Sequence, residues 1–277
     1  WQGGYIDDAI ATASRSVALC TSPASRNYSM VYGAAISAFA GDTVQAKGLV
    51  ASIDADAWPV EMRATSMNGM GLLADAYVHL DALDFTGAAE VLSESGTNMR
   101  VSEYWPFLTA AGVIVRHGLG HGRAETERVM RELAGSEPPP GAGDNAGTEQ
   151  LYGVLAWARL AAGDQRAAGR LLDQRPEDSP YLVAARVATL LASGRGRAAF
   201  EHAERGLGLP GHTIRTCVET QTIGAVAALR EDNPEQAWAW LSAAVVAGET
   251  YGARLHLAFL DPRDRRLLRE FASARGT

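Results

Sequence analysis

The sequence predicts an all-α chain built as an α-solenoid of about six helix pairs, and three observations carry that prediction. A small residue is followed twelve positions later by an alanine six times: Ala34/Ala46, Ala76/Ala88, Gly112/Ala124, Ala156/Ala168, Val187/Ala199 and Ala225/Ala237. Two closely crossing helices need small side chains at the crossing, because the distance between their axes follows the size of what lies between them. A turn signal stands just before each second alanine, in Gly41-Asp42, Leu83-Asp84, Leu119-Gly120, Gly163-Asp164, Gly194-Arg195 and Asp232-Asn233. The successive alanines are 42, 36, 44, 31 and 38 residues apart, which is the spacing of helix-pair repeats. Alternating apolar patterns are rare and β-branched residues are unclustered, so no strand is expected.

Each element follows in order from local chemistry. A leading helix is expected over 5–19, and the first pair over 27–40 and 43–53. The second pair covers 60–80 and 85–94, and the third 102–119 and 122–134. Gly135-Ser136-Glu137-Pro138-Pro139-Pro140-Gly141 follows, a run that no helix crosses. The fourth pair covers 147–162 and 165–174, closed by Pro176 and Pro180; the fifth covers 181–193 and 196–206, closed by Gly206, Gly208 and Pro210. The sixth covers 212–230 and 234–248, with Asn233 as N-cap and Pro234 at the first helical position. A trailing helix over 262–274, after Asp261-Pro262, caps the array as the leading helix does at the other end.

Within the second helices an apolar stripe runs three and four positions past the alanine, as in Leu49/Val50, Val91/Leu92, Leu171/Leu172 and Trp240/Leu241. Such a stripe faces the neighbouring pair. Two pairs break it. The third offers Glu127/Arg128, with Val129 and Met130 displaced, and the fifth offers His202/Ala203.

Composition narrows the function. A chain of 277 residues that is 47% hydrophobic can bury a large core, and a repeat architecture makes the whole length one domain. The net charge of −7 argues against a direct grip on a phosphate backbone, which needs clustered Lys and Arg. Cys20 and Cys217 do not make a disulfide framework, so a reducing, cytoplasmic setting is expected. No apolar run approaches the ~20 residues of a bilayer span, and no signal peptide is visible. Because it begins with Trp1, the chain is read as a piece of a larger protein.

The small–turn–alanine spacing, with Gly-Asp at the turn in Gly41-Asp42 and Gly163-Asp164, resembles the tetratricopeptide repeat. The repeats here are longer and more variable, and bulky first-helix residues are not regularly placed. That combination resembles the helical-repeat region of the large MalT-like and LuxR-type bacterial transcription activators. Ala237-Trp238-Ala239-Trp240-Leu241-Ser242-Ala243-Ala244, then Gly248, Tyr251-Gly252, Phe259-Leu260-Asp261 and Leu267-Leu268, resembles the stretch closing that region, ahead of a helix-turn-helix. The resemblance implies a right-handed solenoid of tetratricopeptide-like pairs that senses an effector or a partner protein. A Gly-x-x-x-x-Gly-Lys-Ser/Thr phosphate loop is absent, and the chain ends before a helix-turn-helix. DNA would then be reached only through a module outside this chain. A stand-alone tetratricopeptide-like adaptor for a peptide or partner protein is the other reading, and self-association fits either.

Catalytic chemistry finds little support. Gly-x-Ser-x-Gly does not occur, no nucleophile–base pair stands out, and neither cofactor nor metal is expected. His117 and His121 have metal-ligand spacing, but glycines at 118, 120 and 122 put them at a helix end, where capping explains them. Met62, Met67, Met70 and Met99 read as core, and the acids Glu149 and Glu219 and the cluster Arg263, Arg265, Arg266 and Arg269 as surface. The better signal is on the first helices, expected to line a concave groove. Positions one after and six before the small residue place Tyr77 and Trp157, then Tyr28, Met70, Gln150, Tyr181 and Glu219, in that groove, with Arg116 beside them. Rings with a few polar groups suit a sugar, a peptide or a small amphipathic effector.

Overall fold

A computed structural model describes residues 5–54, 66–93, 104–135 and 143–276. These residues form α1 (Ile6–Leu19), α2 (Pro23–Ala40), α3 (Thr43–Ala51), α4 (Ser66–Asp81), α5 (Phe85–Ser93), α6 (Trp105–Gly118) and α7 (Gly122–Leu133). They continue with α8 (Ala146–Ala161), α9 (Gln165–Leu172), α10 (Val183–Ala192), α11 (Gly196–Leu207), α12 (Ile214–Arg230), α13 (Pro234–Tyr251), a 3₁₀ turn at Leu255–Ala258 and α14 (Pro262–Ala274). No strand occurs among the described residues. The fold is all-α.

Caps explain the boundaries. Asp42, Asp164 and Asn233 each accept a hydrogen bond from the backbone N–H three residues on, starting α3, α9 and α13. Thr213 and Thr216 form a reciprocal capping box at α12. At α2 the helix starts at Pro23, earlier than the periodicity suggests, because the Ser22 hydroxyl accepts from the Ser25 N–H.

The chain divides into two compact units, Trp1–Leu151 and Tyr152–Thr277. In the first, α2 packs on its partner α3 and on the next first helix, α4, while α3 also packs on α4. The same interleaving joins α4, α5 and α6. Phe39, Tyr77 and Phe107, one from each first helix, meet edge to face with centroids 6.4 and 5.0 Å apart. In the second unit α10, α11 and α12 interleave in the same way. Ala156, Ala168, Leu172, Leu182 and Ala185 form one core cluster there. A larger one runs from Val183 to Leu268.

Backbone conformation sets the register of each hairpin. Every turn carries one left-handed residue: Gly41, Leu83, Gly120, Gly163, Gly194 or Asp232. In five hairpins the small residue of the second helix lies five positions after it and that of the first helix seven before it. Those residues are Ala34/Ala46, Ala76/Ala88, Ala156/Ala168, Val187/Ala199 and Ala225/Ala237, all completely buried. The α6–α7 hairpin departs from the expected pair. Ala124 is exposed and Gly112 only half-buried. Counting from Gly120, the equivalent positions are Val113, fully buried, and Glu125. The sequence register is one residue off here, which turns a helix face by about 100°. The cause is local: Leu119 precedes Gly120, and His121 rather than Gly120 occupies the N-cap position.

The expected closing segment is used for packing. Trp240 lies against Phe200 (5.5 Å between centroids), Trp238 against Phe271 of α14 (6.1 Å), and Phe259 against Trp157 (5.8 Å). Arg230 bonds both the Leu191 carbonyl and the Asp264 carboxylate, tying α10, α12 and α14 together.

Candidate functional site

The groove residues read from sequence fall into a buried set and a reachable set. Met70 and Tyr77 are 0% exposed, and Gln150 and Tyr181 are buried as well. The Tyr77 hydroxyl donates to Gln150 Oε1 at 3.0 Å. Trp157 is half-buried, stacked on Phe259 and packed against both core clusters of the second unit. Glu219 is half-buried. Tyr28 is exposed and its ring sits 4.7 Å from that of Tyr32, whose hydroxyl meets that of Tyr104 at 2.7 Å. Arg116 is exposed at the end of α6. Positions six before and one after the small residue are seven apart, close to two full turns, so they share one face. In α4 that face turns toward neighbouring helices rather than solvent, which corrects the assignment of Met70 and Tyr77 to an open groove.

The remaining candidates are placed simply. His117 lies at the end of α6 against Gly122, where an added Cβ would come within 3.0 Å of the His117 Cα. Among the described residues no three metal-capable side chains cluster. Met62 and Met99 lie outside the described residues, as does the side chain of Met67. Arg265 donates to the Leu260 carbonyl, and Arg263 and Arg266 are exposed.

A cavity of about 410 Å³ in the second unit was not anticipated. It lies between α9, the loop that follows it, α10 and α11. Arg186 of α10 lines it. Its Nη2 donates to the carbonyls of Leu172 (2.8 Å), Arg175 (2.9 Å) and Pro176 (3.2 Å), which lie where α9 ends. Its Nε is buried without a partner, as is Nε2 of His202 on α11. Burial holds the Arg186 guanidinium below its ordinary pKa, with Glu177 and Asp173 opposing from farther off. Burial, followed by Arg186 and Arg205, holds His202 below the usual histidine value, so the ring is neutral at pH 7. Arg195, Arg205, Asp173 and Glu177 are exposed around the rim. The only sequence sign of this cavity is His202, standing where the stripe calls for an apolar residue.

Compared with protein-family models, with curated proteins and with solved structures, the chain finds no match. Among the described residues, no helix is long and apolar enough to cross a membrane.

Proposed function

We propose that this chain is the ligand- or protein-sensing helical-repeat region of a cytoplasmic bacterial transcription regulator, working by binding rather than catalysis. The observation that carries the reading is the recurrent hairpin: five turns set two fully buried small residues at one register, and successive first helices pack together in α2–α4, α4–α6 and α10–α12. Repetition of one supersecondary unit serves to build extended surface for a partner. In this reading the six pairs are right-handed tetratricopeptide-like repeats, and the segment 237–268 closes the array, as it does in the MalT-like proteins it resembles. An effector or peptide binds at reachable side chains such as Tyr28, Arg116, Trp157 or Glu219, and favours one packing of the stacked pairs over another. DNA is contacted only by a module outside the chain.

The coding sequence on either side tests the reading most directly. A phosphate loop upstream and a helix-turn-helix downstream are expected; a frame with neither leaves the adaptor reading in its place. A second test uses residues 1–277 alone. With a net charge of −7 they should not bind duplex DNA at physiological salt, and salt-sensitive binding of a defined operator would overturn the reliance on a separate module.

A further inference from the structure

The cavity beside Arg186 holds charges of both signs that, among the described residues, form no contact ion pair with one another. Among the described residues no carboxylate makes an ion pair with Arg186; neutral carbonyls on a single nitrogen, Nη2, are its hydrogen-bond acceptors. Carbonyls are the direct partners of this half-buried cation while Glu177 and Asp173 act on it only from farther off, so its charge is incompletely matched where it is desolvated. Nη1 takes part in none of those bonds, and Arg186 lines the cavity. His202 lines the same wall. Asp173 and Glu177 line the rim, and neither makes a contact ion pair among the described residues.

These features select a ligand class. A guanidinium matches a planar carboxylate well, through parallel N–H donors. The rim carboxylates oppose a multiply charged anion such as a phosphate ester, yet they attract an ammonium group. Leu172, Leu190 and Ala198 supply an apolar wall for a side chain. The volume of about 410 Å³ lies in the range of small-molecule sites. We propose that this cavity binds a small zwitterion of the α-amino-acid class, its carboxylate on Arg186 beside His202 and its ammonium toward Asp173 and Glu177. The site stands whether or not the chain belongs to a transcription regulator.

The experiment is calorimetry and thermal unfolding of the full chain with individual α-amino acids, and with acetate, methylammonium and inorganic phosphate as partial mimics. At least one amino acid should bind and raise Tm, more strongly than any of the three mimics. Ala198→Trp, which fills the cavity without touching its charges, should abolish binding. Glu177→Gln, at an exposed position, should weaken it about tenfold, the scale of one lost charge-assisted contact. Circular dichroism checks that Ala198→Trp folds; if it does not, Glu177→Gln decides alone. The proposal is overturned if no amino acid binds, if phosphate binds more tightly than all of them, or if Glu177→Gln leaves the affinity unchanged.

Discussion

The helices α7 and α11 occupy the same place in their hairpins and both break the apolar stripe at one position, but they resolve the break differently. Counted from the crossing residue, the third position is Leu49, Val91, Leu171 or Trp240 in four hairpins; it is Arg128 in α7 and His202 in α11. Arg128 is fully engaged. It reaches back to both oxygens of Glu125 and forward to Glu132, and Glu125 foremost raises its pKa. Glu125 itself stands where the other hairpins have alanine, so α7 carries a closed surface network in place of a tight crossing. His202 has no such partners: Nε2 is buried and unsatisfied, and the nearest charges include two arginines. A polar residue in an apolar stripe is therefore uninformative until its partners are known. In α7 the break is satisfied by its partners; in α11 it leaves a buried nitrogen on a residue that lines the cavity.

The largest effect that tests this comparison lies at the crossings. Ala199→Leu in α11 should cost about 1–3 kcal/mol by overpacking a completely buried position. Ala124→Leu in α7, exposed, should stay within about 0.5 kcal/mol. Urea unfolding measures both, and equal costs would show that the register counted from Gly120 is wrong.

A change of sign comes next. His202→Leu restores the stripe and removes an unsatisfied buried nitrogen, so it should stabilise the chain by about 1 kcal/mol while impairing the cavity. Arg128→Leu removes its ion pairs with Glu125 and Glu132 and should not stabilise. If His202→Leu destabilises, the ring has a partner in solution and the contrast with α7 fails.

The Arg128–Glu125 coupling should be smaller still, about 0.5 kcal/mol in a double-mutant cycle, because the arginine remains partly exposed. A coupling near zero would make that network incidental.

The finest test is pH. Burial holds the His202 pKa below 6.5, so the unfolded chain takes up the proton first. Its stabilising contribution is present above about pH 6.5 and is lost as the pH falls through the lower folded value. The stability of the parent chain should therefore fall more steeply than that of His202→Leu between about pH 7 and pH 5. Parallel profiles would mean that His202 titrates freely.

Helices and turns were legible because they depend on neighbours in sequence. The starts of α3, α9 and α13 follow from Asp42, Asp164 and Asn233, whose side chains reach a backbone N–H three residues away. The crossing alanines were legible for a related reason: a fixed turn fixes the offset between two small residues. That logic failed where two candidate offsets stood side by side, Gly112/Ala124 against Val113/Glu125, and residue size pointed to the wrong one.

Local chemistry, then, determined that the chain is helical, where the helices begin, and which five hairpins close on small buried residues. Tertiary structure alone decided which side of a first helix meets water. Met70 and Tyr77 look like groove residues on an isolated helix, yet a helix flanked by its partner and by other first helices has little free face left. The cavity was also a tertiary decision. Arg186 is anchored by carbonyls ten to fourteen residues away, and His202 reaches the same space from another helix. No sequence period brings those groups together, because their meeting depends on how three helices pack rather than on how any one of them forms.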